Sequence, residues 1–242
     1  MTWLRSALFN LYFFGATLVL TLVGTAVRLV APHRVRPVAM LWARVLLAGA
    51  RILCGIRLEV AGREFLPADG PALIASRHQS ALDTMVWLTL VPRCCYVLKQ
   101  ELMRIPLFSE LIRATGMIAV DRSGGATALR QLLRGADRAK RDGMQIVIFP
   151  EGTRAEPGTI LPLQPGIAAL AARTGLPVIP VITDSGHCWG RRAFRKLPGI
   201  VHIQILPPIA ACIPRQALMQ ELDSALRTEI GQFAEPVDNV VG

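Results

Sequence analysis

The sequence lacks the cysteine and histidine patterns that are typical of disulfide-stapled or metal-binding proteins. Its five cysteines are odd in number and contain no CxxC pair, which argues against a disulfide framework and against a zinc site. They are Cys54, Cys94, Cys95, Cys188 and Cys212. The four histidines, at positions 33, 78, 187 and 202, show no metal-ligand spacing either. We therefore expect a reducing compartment, no metal and no bound cofactor.

Acidic residues are also scarce. Asp and Glu total 17 against 27 Lys and Arg, so the net charge is +10 and the isoelectric point is about 10.4. A chain this basic is expected to meet nucleic acid, anionic lipid headgroups or a phosphorylated substrate. The sequence has no zinc-finger spacing, heptad-linked basic region or RRM-like aromatic motif. These absences argue against nucleic acid, and they leave an anionic membrane surface or a phosphate-bearing substrate as the expected partner.

What the sequence does have is a very apolar N-terminus. Apolar residues make up 52% of the chain and mean hydropathy is +0.42, above the usage of soluble proteins. The run from Ser6 to Val27 contains no charge and would span about 30 Å as a helix, the thickness of a bilayer's hydrocarbon core. One arginine precedes this run, and three follow it at positions 28, 34 and 36. The positive-inside rule then places the rest of the chain on the cytoplasmic side of the inner membrane.

A second apolar run, from Val38 to Ile56, carries two arginines. Arg44 and Arg51 share one helical face, which favours a helix lying in the membrane plane over a second membrane span. The alternative is a hairpin of both runs that dips into one leaflet. We therefore divide the chain into an N-terminal membrane anchor at 1–57, made of one transmembrane or hairpin helix plus an amphipathic helix, and an α/β domain at 58–242.

Beyond the anchor, short apolar runs alternate with helical patterns. The runs lie at 73 to 75, 95 to 98, 117 to 120, 145 to 149, 178 to 182 and 201 to 206. The helical patterns lie near 80 to 90, 107 to 114 and 126 to 141, then immediately before Gly175, and finally at 214 to 231. This alternation predicts the α/β class, with a mixed, largely parallel sheet flanked by helices.

The stretch SRHQSALDT, which follows the first of these runs, contains a histidine and an aspartate five positions apart. Ser80 and Asp83 have the spacing of a capping box, in which the serine caps backbone N–H groups and the acid reaches back to the helix start. Capping accounts for Asp83 but leaves His78 unexplained. His78 precedes the cap, on a turn from which its side chain can reach a cleft.

A second polar stretch, FPEGTR, continues from the apolar run QIVI. Ligands of open α/β sheets bind beyond the strand ends. Gly152 permits a close backbone approach, and Thr153 and Arg154 supply donors that suit a phosphate. Lys99 and Arg122 follow two other apolar runs in the same way. Several strand ends thus direct cations towards one rim.

Four ordered motifs resemble those of glycerolipid acyltransferases, and the similarity is greatest to bacterial 1-acylglycerol-3-phosphate acyltransferases. The motifs are His78-x-x-x-x-Asp83, the stretch from Lys99 through Gly116 to Asp121-Arg122, FPEGTR at 149–154, and LPVIPV at 176–181. Together they span about two-fifths of the chain, and four motifs in this order are specific where one alone is weak. The sequence departs from the family pattern at Arg77 (commonly Asn), Ser109 (often Gly) and Ala155 (usually Ser).

The resemblance implies roles for the residues of these motifs. His78 would be the general base that takes the proton of the acceptor hydroxyl, and Asp83 would orient it and support the imidazolium. The acceptor phosphate would be held by Arg122, Thr153 and Arg154, with Lys99 as a further cation. Glu151 and Gly152 would shape the site. Ser80 is a cap in this scheme, because direct attack on a thioester requires no acyl-enzyme.

The resemblance also implies a reaction. A fatty acyl group would pass from acyl carrier protein or coenzyme A, acting as co-substrates, to the sn-2 hydroxyl of 1-acyl-sn-glycerol 3-phosphate (lysophosphatidic acid), giving phosphatidic acid for phospholipid synthesis. Alternative acceptors are lyso-ornithine lipid, another lysophospholipid and glycerol 3-phosphate. An alternative of a different class is a basic lipid-binding protein without catalysis, but that function would not explain His78, Asp83 and Glu151 together.

One further segment, between Trp189 and Lys196, interleaves aromatic rings with cations in the sequence WGRRAFRK. Loops of this composition occur at membrane interfaces, where the rings reach the headgroup level and the cations meet anionic lipid. The four motifs do not include this segment.

Overall fold

The computed structural model of the chain describes residues 1–121 and 123–228. Within that part, the α-helices are α1 (Thr2–Val30), α2 (Val35–Gly49), α3 (Asp83–Leu90), α4 (Phe108–Thr115), α5 (Gly125–Arg141), α6 (Gly166–Thr174) and α7 (Arg215–Arg227). The strands are β1 (Ile56–Ala61), β2 (Ala72–Ser76), β3 (Cys94–Lys99), β4 (Ile118–Val120), β5 (Gln145–Ile148), β6 (Val178–Thr183) and β7 (Gly199–Ile205).

These strands form one sheet in the order β1-β7-β6-β2-β5-β3-β4. Every neighbouring pair is parallel except β6 and β7, so β1 and β7 run opposite to the other five strands. The predicted mixed, largely parallel sheet flanked by helices is therefore confirmed. Each of the six predicted apolar runs coincides with one of the strands β2 to β7, while the edge strand β1 was not predicted.

Two apolar cores lie on opposite faces of the sheet because successive side chains of a strand point to opposite sides. In β2, Ala72 and Ile74 face a core shared with α1, α2 and α3, while Leu73 and Ala75 face a core shared with α5, α6 and α7. Strands buried on both faces appear in sequence as continuous apolar runs. This explains why the runs LIA and QIVI show no polar alternation.

The N-terminal helices pack on each other and on the sheet. A Cβ on Gly49 of α2 would lie 2.2 Å from Cε1 of Tyr12 in α1, so the glycine lets the two helices approach closely. Tyr12 donates its hydroxyl proton to the carbonyl of Val45 across the same contact, at 2.8 Å. Buried residues of α2, including Leu46 and Leu47, complete the first core. This helix therefore covers one face of the sheet.

By length and composition, two N-terminal helical segments could cross a membrane: Thr2–Val30 and Pro32–Cys54. The second is α2 with the 3₁₀ turn Pro32–Arg34 before it and a π-helical turn, Ala50–Cys54, after it. The outer face of α1 exposes a row of large apolar side chains, which includes Leu4, Leu8, Leu11, Leu18 and Leu22. The proposed boundary between residues 57 and 58 stays a prediction.

Some predicted helix limits differ from the structure. The helix expected near residue 80 begins at Asp83, because the preceding turn is organised by side chains of the His78 region. The last helix was expected to continue to residue 231 and is observed to Arg227. Residues 229–242 lie outside the described part, as does Arg122.

Candidate active site

The predicted site residues follow the carboxyl ends of neighbouring parallel strands. β2 and β5 are adjacent, and β3 and β4 lie next in the same direction. The turn with His78 follows β2, the FPEGTR loop follows β5, and Lys99 ends β3. Adjacent strands are about 4.8 Å apart, so the end of β3 is about 10 Å from the end of β2 along this edge.

His78 and Asp83 form a direct pair. His78 Nδ1 lies 2.8 Å from Asp83 Oδ2, which also accepts the backbone N–H groups of Gln79 and Ser80, both at 2.8 Å. Asp83 is 4% exposed. A carboxylate is an acceptor, so we assign the Nδ1 proton to His78 as the donor of this bond. Nε2 is then the basic nitrogen, and it has no hydrogen-bond partner among the described residues.

Asp83 thus combines two functions that the sequence left separate. It reaches back to the N–H of Ser80, as a capping acid does, and it binds the imidazole of His78 with the same oxygen. The Ser80 hydroxyl accepts the backbone N–H of Leu82 at 3.1 Å and is fully buried. A serine placed in this way supports the turn and does not face the site.

An aromatic ring supports the histidine. The ring of Phe149 stacks on the His78 imidazole with centroids 4.0 Å apart and an interplanar angle of 18°. Behind it, Tyr96 lies 6.1 Å from Phe149 and donates its hydroxyl proton to the Thr84 carbonyl at 2.7 Å. Sequence reasoning assigned no role to Phe149. Its position at the end of a buried strand, next to Pro150, was the available signal.

Glu151 connects the FPEGTR loop to the His78 turn. Its Oε2 accepts the backbone N–H of His78 at 2.9 Å, and its Oε1 lies 3.6 Å from Nε of Arg77. Burial raises the pKa of Glu151, while the His78 N–H and the charge of Arg77 act in the opposite direction. Arg77, where the family commonly has Asn, therefore has a structural explanation in this chain: it offsets the charge of a buried carboxylate.

The backbone of the same loop adds a second contact to the turn that carries His78. Gly152 has a φ of +71°, in the left-handed region that favours glycine, and turns the chain directly after Glu151. Three residues later, the N–H of Ala155 donates to the His78 carbonyl at 2.7 Å. Both backbone polar groups of His78 are thus bound by the FPEGTR loop, and this fixes the backbone that carries the imidazole.

The same loop carries two of the predicted phosphate ligands, Thr153 and Arg154. Thr153 is exposed and Arg154 is half-buried. Arg154 forms no ion pair within the described part of the chain, so its donors are available to a ligand. Burial lowers the pKa of Arg154, the Asp83 carboxylate raises it, and the positive charges of Arg191 and Arg192 lower it again.

The remaining predicted cations are placed differently. Lys99 is exposed, and its Nζ donates to Glu101 Oε1 at 2.8 Å. Asp121 accepts the N–H and the hydroxyl of Ser123 at 2.9 and 2.6 Å. The structure therefore brings His78, Asp83 and the FPEGTR loop together. It leaves Lys99 two strands away and paired with an acid, and Arg122 is not among the described residues.

The class of the protein follows from this arrangement. A histidine oriented by a buried carboxylate, with its second nitrogen free at the carboxyl edge of an α/β sheet, can act as a general base, and a guanidinium of the neighbouring loop can bind a negatively charged substrate. A sequence model of the acyltransferase family matches residues 57–184, which contain the whole site. The chain belongs to the acyltransferase family and is an enzyme of that class.

Individual relatives agree with this assignment. The 1-acyl-sn-glycerol-3-phosphate acyltransferase of Pseudomonas aeruginosa is 33% identical over 210 residues, which are 86% of this chain and 81% of the relative. The alpha form of that enzyme from Mus musculus is 31% identical over 170 residues, or 69% of this chain and 60% of the relative. The crystal structure of the 1-acyl-sn-glycerophosphate acyltransferase from Thermotoga maritima superposes with a TM-score of 0.75 over 93% of this chain and 95% of the other, at 24% identity. That similarity shows a shared fold.

Proposed function

We propose that this enzyme transfers a fatty acyl group from a thioester to the sn-2 hydroxyl of 1-acyl-sn-glycerol 3-phosphate, producing phosphatidic acid. The observation that carries the proposal is the His78–Asp83 pair, with Nδ1 bound at 2.8 Å and Nε2 free, beside Arg154. Relatives that act on this acceptor by name support the choice of substrate.

In the proposed reaction, His78 Nε2 takes the proton of the acceptor hydroxyl while the hydroxyl oxygen attacks the thioester carbonyl. Asp83 stabilises the imidazolium that forms, because its carboxylate already accepts the Nδ1 proton. Collapse of the tetrahedral adduct breaks the carbon–sulfur bond, and the departing thiolate receives the proton from His78. The ester, the free thiol of the carrier and neutral His78 result.

The charge of the acceptor is matched by the loop after β5. Arg154 presents a guanidinium fork that suits a phosphate, and Thr153 supplies a hydroxyl beside it. Lys99 and Arg122 remain proposed contributors to the same rim. Either acyl carrier protein or coenzyme A would serve as acyl carrier, and no metal or bound cofactor takes part in this scheme.

The membrane face of the enzyme is proposed to be the outer side of α1. Near its start, Ser6 Oγ accepts the N–H of Lys196 at 2.9 Å; near its end, Arg28 Nη1 lies 3.3 Å from Glu110 Oε2. A helix held along the α/β body at both ends cannot cross the bilayer without drawing that body into the hydrocarbon. The exposed leucines would therefore enter one leaflet, with the catalytic edge facing the cytoplasm beside the inner membrane.

The decisive experiment uses full-length protein in detergent micelles with a panel of acceptors and two donors, acyl carrier protein and coenzyme A thioesters. We expect 1-acyl-sn-glycerol 3-phosphate to give the highest kcat/KM, with mass spectrometry showing phosphatidic acid as the product. Faster acylation of lyso-ornithine lipid, a zwitterionic lysophospholipid or glycerol 3-phosphate would reassign the acceptor. If no acceptor turns over with either donor but lysolipid binds, the non-catalytic lipid-binding function is supported instead.

A further inference from the structure

The loop between β6 and β7 lies beside the catalytic turn, outside the four motifs. β6 neighbours β2, so the segment after β6 emerges next to the turn that carries His78. The N–H of Gly186 donates to Gln79 Oε1 at 3.1 Å, one residue from His78. A Cβ on Gly186 would lie 3.0 Å from the Gln79 side chain, which shows how closely the loop approaches the turn.

The far end of this loop is fastened to α1. Lys196 is 3% exposed; its Nζ donates to Asn10 Oδ1 and to the Phe194 carbonyl, and lies 5.0 Å from the centre of the Trp189 ring. The Phe194 ring stacks on Trp3 at 5.3 Å. Lys196 is thus fully engaged as an anchor, and the loop is held between the membrane helix and the catalytic turn.

Between these two attachments the loop presents a pair of arginines. Arg191 and Arg192 are exposed, and neither forms an ion pair with any acid in the part of the chain that the structure describes. Arg192 has a φ of +55°, a conformation that side chains other than glycine rarely adopt. Such strain persists only where surrounding contacts impose it, and it clusters at ligand sites.

The loop that carries the two arginines also borders the segment after FPEGTR, since a Cβ on Gly186 would lie 3.0 Å from Cγ of Pro157. Burial lowers the pKa of the Arg154 guanidinium, and the positive charges of Arg191 and Arg192 lower it further. Among the described residues, the acid that acts on Arg154 in the opposite direction is Asp83, whose Oδ2 is already bonded to His78 and two backbone N–H groups. The positive charges of the three guanidiniums are therefore poorly compensated and repel one another. A bound anion would relieve that repulsion.

We infer that Arg191 and Arg192, together with Arg154, form the binding site for the phosphate of the lipid acceptor. The inference rests on the proposed function, and it adds two specificity-determining residues from a loop outside the acyltransferase motifs. The anchor at Lys196 ties this phosphate site to α1. The phosphate headgroup of the acceptor would therefore bind at a fixed position relative to α1.

The test compares the double variant Arg191→Ala/Arg192→Ala with the control Arg195→Ala in mixed micelles. Arg195 belongs to the same loop and carries the same charge, but its guanidinium lies over the Trp3 ring, 5.6 Å from its centre. The acceptors are 1-oleoyl-sn-glycerol 3-phosphate and the uncharged 1-oleoylglycerol. We expect the double variant to raise KM for the phosphate acceptor about 10-fold or more, with donor KM and uncharged-acceptor kinetics unchanged. Arg195→Ala should behave as wild type.

Three results would overturn the inference: an unchanged acceptor KM, an equal loss with both acceptors, or an equal effect of Arg195→Ala. A lower kcat for both acceptors would also contradict the inference, because it would indicate a structural role of the loop. The variant Arg191→Lys/Arg192→Lys distinguishes a structural role from phosphate binding, because it restores the charge without the guanidinium fork. Partial recovery of selectivity supports the phosphate site. The proposed function is tested independently, since it depends on the wild-type enzyme's rates with the acceptor panel and not on these variants.

Discussion

At the scale of single residues, three contacts within the described part of the chain fix the imidazole of His78 and leave its Nε2 free. Its Nδ1 is bound by Asp83, its ring is stacked on Phe149, and its backbone N–H is accepted by Glu151. Each contact restricts a different freedom of His78: the tautomer, the ring plane and the position of the main chain. If His78 is the general base, as proposed, it is oriented before the acceptor arrives.

Removal of this imidazole gives the first prediction. We expect His78→Ala to lower kcat by about 10²- to 10⁴-fold or more, because general-base catalysis is lost. Asp83→Asn should cause a loss of similar size, since the amide no longer selects the productive tautomer. Acyl transfer is measured alongside thermal unfolding, because Asp83 also accepts two backbone N–H groups. A decrease that only follows the loss of folded protein would leave Asp83 with capping alone.

The second prediction concerns the buried carboxylate of Glu151. Its pKa is raised above the ordinary value of 4.5, chiefly by burial, so the folded state binds this proton more tightly than the unfolded chain. The free energy of unfolding of the wild type should therefore decrease relative to that of Glu151→Gln as the pH rises from below 4.5 through the folded pKa. Above the folded pKa, the difference between the two proteins should stay constant. Unfolding temperatures of both proteins between about pH 4 and 8 measure this difference. A difference that grows in favour of the wild type would contradict the burial argument.

The third prediction separates substrate binding from loop structure at Arg154. Arg154→Ala should raise KM for the phosphate acceptor by roughly 10- to 150-fold, the effect of losing one charge-assisted contact of about 1.5–3 kcal/mol. KM for the acyl thioester should change little. Initial rates with each substrate varied in turn provide the measurement. Equal changes in both constants would mean that Arg154 organises the loop.

At the scale of elements, the close packing of α1 against α2 completes the first core. Gly49 faces the Tyr12 ring, whereas Gly15, on the same pair of helices, has no atom within 4 Å of its would-be Cβ. The fourth prediction is that Gly49→Val destabilises the protein by about 1–3 kcal/mol through overpacking. Gly15→Val is the matched control, and thermal unfolding in detergent should show little change for it. A similar loss in both variants would indicate an effect of valine on the helices themselves.

At the scale of the whole molecule, one catalytic edge is combined with one apolar outer face. In the proposed reaction the lipid acceptor is in the membrane and the acyl carrier is in water, so the site would work at their boundary. The exposed leucines of α1 and the basic composition of the chain suit that proposal, since burial of apolar surface would retain the protein at the membrane and the cations would add an attraction that salt screens.

The fifth prediction tests that face. Leu11 and Leu18 are 74% and 61% exposed on α1, so replacing both with Glu should disrupt few internal contacts while it abolishes resistance to carbonate extraction. Leu129→Glu, on the exposed side of α5, is the control and should remain membrane-bound. Fractionation of membranes followed by immunoblotting measures the partition. Retention of the Leu11→Glu/Leu18→Glu variant in the membrane would show that another surface carries the attachment.

The local elements of this protein were readable from the sequence because their signals are local. Continuous apolar runs predicted buried strands, and glycine after the α6 pattern predicted its end, where Gly175 is left-handed. The position of His78 and of FPEGTR beyond strand ends placed polar groups at one edge. The family motifs then supplied an expectation of acyl transfer, and the match of residues 57–184 to that family confirmed it.

What only the tertiary structure decided depends on contacts between distant residues. Glu151 binds the N–H of His78 across 73 positions, and this contact exists because β2 and β5 are neighbours in the sheet. Strand order is not encoded in the periodicity of any single strand, so neither that bond nor the stack of Phe149 could be derived from spacing. The same reason applies to α1: its composition indicated a membrane helix, but only its attachments at Lys196 and Glu110 showed that it lies along the body.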